Sequence, residues 1–145
     1  MELTSRSVGA ITVLTAEGEL TVRTAPAFLR RACLLLASGP PPLLAVDLGR
    51  VRPVDSSGFA ALVALLRRIQ RRRGEVCLVG LDGEARLLLE LMQLHLLFDV
   101  CDDVPAAIEI LAAHPAVAPP VAAAPRGLLG RIRAGSSPLP RRAAS

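Results

Sequence analysis

"VDSSGFAALV", residues 54–63, sets an aspartate and two serines against a glycine and then turns apolar at helical spacing. Just upstream, "LLAVDLG" (43–49) is a nearly unbroken apolar run between turn signals. That pattern marks a strand buried on both faces, as in parallel sheets. Downstream, Phe59, Leu62, Val63, Leu66 and Ile69 recur at i, i+3, i+4, i+7 and i+10, one stripe of an α-helix beginning after Gly58. Asp55 or Ser56 falls at its N-cap, with Ser57 in or just before the first turn. Arg67, Arg68, Arg71, Arg72 and Arg73 crowd its last turns, where cations suit the helix dipole, and Gly74 ends it. A buried strand leading through a short polar junction into an amphipathic helix is the unit of an α/β layered fold.

The same alternation continues on both sides. "AITVLTAEGEL" (10–20) predicts a strand with Ile11, Val13 and Thr15 on one face, ending near Gly18. Thr24 offers a cap and Pro26 a tolerated first-turn proline for a helix over 25–38, stopped by Gly39 and Pro40–Pro42. "EVCLVGL" (75–81) predicts another buried strand, and Asp82 caps a helix with the stripe Ala85, Leu88, Leu89 and Met92. Phe98 and Val100 mark a short last strand, and 104–114 a closing helix with Ala107, Ile108 and Leu111 inward. The expectation is one α/β domain over residues 1–114, a mostly parallel mixed sheet of four to five strands with about four helices. From Pro115 the texture changes to proline, alanine and arginine, so 115–145 is expected to be a disordered tail. Only "GLLGRIR" (127–133), with Leu128, Leu129 and Ile132, offers one amphipathic turn there.

Composition narrows the function. Aromatics are 2% of the chain, namely Phe28, Phe59 and Phe98, so the core is aliphatic. Base-stacking nucleic-acid recognition lacks its platforms. The net charge of +4 is uneven: residues 1–115 hold 12 arginines and all 13 acids, whereas 116–145 hold five arginines and no acid. The folded part therefore has no bulk electrostatic reason to bind nucleic acid directly. Cys33, Cys77 and Cys101 are odd in number and show no CxxC spacing; Cys33 and Cys77 read as small core hydrophobes in a reducing cytoplasm. No secretory leader is expected, and no apolar run reaches the ~18 residues a membrane span needs.

Catalytic patterns are missing. GxSxG, GxxxxGK[ST] and GxGxxG are absent, and His95 and His114 sit at helical register among leucines or alanines without metal-ligand spacing. Asp102–Asp103 lies beside a helix start and reads as a cap. A hydrolase built on Ser56 or Ser57 would need a base that the chain does not supply. No enzyme activity, cofactor or metal is expected.

"VDLGRVRPVDSSGFAALV" (46–63) resembles the central motif of STAS domains, in particular bacterial anti-sigma factor antagonists. "GEL" (18–20) followed by "TAPAF" (24–28) resembles the family's turn into its first helix, and 85–111 resembles its late helix, connector, strand and closing helix. The resemblance covers roughly residues 3–113 in order. It implies a phosphorylation switch. In that family the serine directly after the aspartate, here Ser56, is phosphorylated by the anti-sigma factor itself, a serine kinase of the histidine-kinase-like fold. The unphosphorylated antagonist binds that kinase and frees the sigma factor, and a serine phosphatase resets the switch. Asp55, Ser56, Ser57, Gly58 and Thr21 would then form the partner face. Thr21 departs from the aspartate that many relatives carry after "GEL", which bears on partner identity.

Physical chemistry is consistent with that placement. Amide donors and a positive dipole end meet at a helix N-terminus, and a phosphate there adds about −1.5 to −2 charges. Gly58 permits close backbone approach. Read without the resemblance, Asp-Ser-Ser before an apolar run is an ordinary capping sequence. A competing role is a STAS subunit of a transporter or signalling scaffold that is never phosphorylated.

Overall fold

The computed structural model describes residues 1–115. Two strands, β1 (Glu2–Val8) and β2 (Ile11–Leu20), form an antiparallel hairpin. β2 then pairs in parallel with β3 (Leu43–Val54), β3 with β4 (Glu75–Val79), and β4 with β5 (Asp99–Cys101), giving the order β1-β2-β3-β4-β5. The crossovers are α1 (Ala25–Leu35), α2 (Ser56–Arg71) and α3 (Gly83–Leu91), the last followed by a 3-10 turn at Leu94–Leu96. α4 (Val104–Ala112) closes the described chain.

Each parallel step moves one strand in the same direction, and crossovers are right-handed, so α1, α2 and α3 share one face of the sheet. That face holds the larger core, in which Leu44, Val46 and Leu48 of β3 meet Phe28, Phe59, Leu62 and Leu66. α4 covers the other face through Ala107 and Leu111 against Ile11, Val13, Leu43, Ala45 and Cys77. β3 is thus buried on both sides, as its unbroken apolar run requires.

Several boundaries differ from the sequence expectation. β1 carries no strand signal in the sequence, because only Leu3 of its seven residues is buried and Glu2 and Thr4–Ser7 are exposed; an edge strand needs no apolar alternation. β2 runs past Gly18 to Leu20, and β3 past Gly49 to Val54. α1 stops at Leu35, short of 38. α2 starts at Ser56, ahead of Gly58, and buries Leu65 while Val63 is only half-buried. Met92, Leu88 and Ile108 are likewise less buried than their stripes suggested, because both short helices bury chiefly two residues each. At the end of α2 it is Arg73, at φ 63°, that adopts the left-handed conformation. Gly74 is required for another reason: a Cβ there would press into the Pro42 carbonyl. The Arg72 guanidinium donates to the carbonyls of Leu36, Gly39 and Pro40, tying the exit of α1 to the end of α2.

Cys33 is half-buried on the α1 face, whereas Cys77 and Cys101 pack on the α4 face with their Sγ atoms 3.0 Å apart. The hydrogen bond shared with Cys101, together with burial, pushes the Cys77 thiol well up and favours its protonated form. The expected tail over 115–145 falls, apart from Pro115, outside the described residues. No helix among the described residues is long and apolar enough to cross a membrane.

Candidate functional site

Parallel strands bring their C-terminal ends to one edge of the sheet, and in open α/β folds sites gather there. Here that edge is the end of β2, the end of β3 and the first turn of α2. Asp55 is the N-cap of α2, in extended conformation, with Oδ1 accepting from the Gly58 N–H at 2.8 Å. Its Oδ2 accepts from the Val22 N–H at 3.1 Å, and its own N–H donates to the Leu20 carbonyl at 3.2 Å. Both carboxylate oxygens are therefore engaged within the domain. Asp55 bolts the β2–α1 loop to α2 as well as capping the helix.

Ser56 and Ser57 occupy the first two positions of α2; Ser56 is exposed and Ser57 half-buried. Neither hydroxyl has an intramolecular partner among the described residues. Amides in the first turn of a helix have no carbonyl four residues back, and only that of Gly58 is met by the cap. The first turn of α2 carries no acid. Gly58 is buried, and a Cβ on it would collide with the Leu20 carbonyl and stand 2.9 Å from Leu20 Cγ. The close approach that this glycine permits is to the end of β2 in the same chain.

Thr21 lies beside this helix start. Its N–H donates to Thr24 Oγ1 at 2.9 Å, and its hydroxyl donates to Glu19 Oε1 at 2.8 Å. Thr24 stands at the N-cap of α1, as expected, yet its hydroxyl does not cap the helix; it donates back to the Glu19 carbonyl at 2.9 Å. Hydrogen bonds from Thr21 and then Arg23, with the charge of Arg23 beside it, hold the Glu19 carboxyl below the usual range. Four of the expected residues, Asp55, Ser56, Ser57 and Thr21, thus meet on one edge, with Gly58 beneath them. The sequence reading missed Val22, whose side chain is 65% exposed beside them. No local pattern signals it, because its tie to Asp55 spans 33 residues.

The arrangement offers uncommitted hydroxyls and helix amides, and the carboxylates beside them, Asp55 and Glu19, are held in hydrogen bonds within the domain. His95 and His114 belong to the opposite end of the helices, with His95 exposed. No group of three or more His, Cys, Asp or Glu able to hold a metal stands among the described residues. A groove of about 420 Å³ lies elsewhere, on the sheet face that α4 leaves open, lined by Glu2, Thr4, Thr15, Glu17, Asp47 and Arg50. It holds neither a thiol nor an imidazole.

The STAS domain family matches this chain over residues 2–107. The chain belongs to that family. A search of curated protein sequences found no match. Among solved structures, an anti-sigma factor antagonist from Mycobacterium paratuberculosis is 23% identical, with 76% of this chain and 92% of that one covered and a TM-score of 0.68. The anti-sigma factor antagonist SpoIIAA matches in its unphosphorylated form at 14% identity and TM-score 0.56, over 77% of this chain and 99% of that one. The phosphorylated form, from Bacillus, matches at 15% and 0.57, over 75% and 98%. The murine anion transporter Slc26a9 matches at 15% and 0.67, covering 74% of this chain and 18% of that one. At these identities the likeness is one of fold. This STAS protein therefore shares its fold with anti-sigma factor antagonists and with a part, under a fifth, of a transporter chain.

Proposed function

We propose that this STAS protein is a cytoplasmic anti-sigma factor antagonist, a regulatory binding module switched by phosphorylation of Ser56. The observation that carries the reading is the contrast between neighbours: Asp55 is fully engaged inside the domain, while the Ser56 hydroxyl is exposed and uncommitted at the helix start. In the unphosphorylated state, Ser56, Ser57, Thr21 and Val22 present the face that an anti-sigma factor kinase contacts, shaped from below by Asp55 and Gly58. Binding that kinase releases its sigma factor. In the kinase reaction Ser56 Oγ attacks the γ-phosphorus of ATP, the bond to ADP breaks, and the hydroxyl proton passes to the kinase. A serine phosphatase reverses the change by hydrolysis.

The phosphate brings about −1.5 to −2 charges to a face that must be desolvated on binding. An unmatched charge in such a contact costs several kcal/mol. A loss of about 3 kcal/mol weakens affinity by roughly 100-fold. Titration of the kinase partner with wild type, Ser56→Ala and Ser56→Asp tests this. Ser56→Ala should bind like wild type, and Ser56→Asp should bind at least several-fold more weakly. Equal affinity for all three would remove Ser56 from the interface.

The likeness to Slc26a9 motivates a second reading, a STAS subunit of a transporter or scaffold that is never phosphorylated. Under it, Ser56→Asp leaves partner capture unchanged, and no kinase labels the chain.

A further inference from the structure

β4 and β5, the last two strands of the sheet, each place a cysteine under α4. In the parallel register Cys77 lies opposite Asp99 and Cys101 opposite Val79. The two cysteines are thus diagonal neighbours, offset by two residues and on one face of the sheet. Their Sγ atoms are 3.0 Å apart and share a hydrogen bond. Cys77 is wholly buried and Cys101 is 6% exposed, in a cluster with Ala45 of β3 and with Ala107 and Leu111 of α4. Cys33 is separated from them by the sheet, since it is half-buried with α1 on the opposite face. The pair has no third ligand with which to hold a metal among the described residues.

We propose that Cys77 and Cys101 form a reversible disulfide when the protein meets hydrogen peroxide, joining the edge strand β5 covalently to β4. An S–S bond is about 2.05 Å long, so the two sulfurs need close by only about 1 Å. The hydrogen bond with Cys77 holds the Cys101 thiol below its ordinary range, against burial and the nearby Asp99, Asp102 and Asp103. Cys101 is therefore the attacking thiolate, and Cys77 keeps the proton. Cys101 Sγ attacks one peroxide oxygen, the O–O bond breaks, and the hydroxide that leaves takes up the proton Cys101 has lost. The product is a sulfenic acid on Cys101 and one water. Cys77 Sγ then attacks that sulfur, the S–O bond breaks, and the hydroxyl leaves with the Cys77 proton as a second water. Two thiols and one peroxide become one disulfide and two waters. Cys101 is the last residue of a three-residue strand at the sheet edge, the kind of element whose local opening admits a small oxidant. In a reducing compartment such a bond is a transient, redox-responsive one. The inference does not rest on the Ser56 reading, because the pair lies under α4 and α2 packs on the other face.

Peptide mapping after oxidation tests it. The full chain, reduced and moved into thiol-free buffer, is treated while folded with hydrogen peroxide. Remaining thiols are alkylated with N-ethylmaleimide in guanidinium, and the protein is digested with trypsin. Arg86 lies between the two cysteines, so the disulfide should appear as the peptide Gly74–Arg86 linked to the peptide that carries Cys101. Dithiothreitol should release the two. Cys33 should be recovered alkylated, and Cys33→Ser should give the same cross-link in the same yield. Cys77→Ala and Cys101→Ala should each abolish it. Wild type and Cys33→Ser decide the matter even where a core variant folds poorly. The proposal is overturned if Cys77 and Cys101 are both recovered alkylated after peroxide. It is overturned too if Cys101 is carried to a sulfinic acid with Cys77 still alkylated, or if the disulfide that forms includes Cys33.

Discussion

Asp55 accepts a hydrogen bond from the backbone of Val22, 33 residues earlier in the chain, at 3.1 Å. Because the same carboxylate caps α2 through Gly58, it ties the loop after β2 to the start of α2. Ser56 directly follows this clamp; under the proposed switch, a change of charge on it alters the face while the clamp stays in place.

Removing that carboxylate should cost more than an ordinary cap. Loss of an N-cap typically costs about 1 kcal/mol, and the orphaned Val22 amide adds a further contribution of about 1 kcal/mol. Asp55→Ala should lower the melting temperature by roughly 10 °C. Asp55→Asn, which keeps an acceptor, should lose less. Thermal melts check the order, and an Asp55→Ala protein as stable as wild type would show that the clamp is not needed.

Gly58→Ala forces a methyl group against the Leu20 carbonyl. Overpacking of this kind costs typically about 1–3 kcal/mol. Ser57→Ala, which removes a hydroxyl without an internal partner, should fall within about 0.5 kcal/mol of wild type. Denaturant unfolding of the two variants side by side should separate them clearly.

Burial pushes the His114 imidazole below the ordinary histidine range. Between its folded and unfolded values the unfolded chain binds more protons, so stability falls as pH drops through about 6.5 and levels off once the folded form is protonated as well. His114→Gln should flatten the stability profile between about pH 7 and pH 5. An unchanged slope in that variant would assign the pH dependence to another group.

Among the described residues, the last core side chain is Leu111 in α4. We propose that the chain beyond Pro115 adds nothing to this packing, so a protein ending at Pro115 should melt within a few degrees of the full chain. A large drop would place part of 116–145 on the domain.

Much of this architecture is legible in the sequence because burial leaves a periodic trace. The runs 43–49 and 75–81 announced strands covered on both faces, and Asp82 and Asp103 do cap α3 and α4. β1 left no such trace, since only Leu3 is buried and Val8 half-buried while the five residues between and before them are exposed. At the site, Asp55–Gly58 could be read as a helix start, but not the engagement of both Asp55 oxygens or the contact of Gly58 with Leu20. Those depend on where β2 ends relative to β3, a relation between distant segments that no local pattern encodes. Thr24 shows the same limit: a threonine at a cap position spends its hydroxyl on the Glu19 carbonyl, because the preceding turn folds back on itself.

Phosphorylation itself should leave stability nearly unchanged. A helix N-terminus favours negative charge by about 0.3–1 kcal/mol at an exposed site, and repulsion from Asp55 opposes it by a similar, screened amount. The two forms should melt at similar temperatures. Unfolding on phosphorylation would contradict a surface switch.

The central claim rests on one atom, Ser56 Oγ, and site mapping tests it most directly. The full chain is incubated with its candidate anti-sigma factor kinase and ATP, and the phosphate is located by mass spectrometry. The account predicts a single phosphate on Ser56 that disappears in Ser56→Ala. A phosphate on Ser57, on Ser136 or on Ser137, or an undiminished yield in Ser56→Ala, would contradict it.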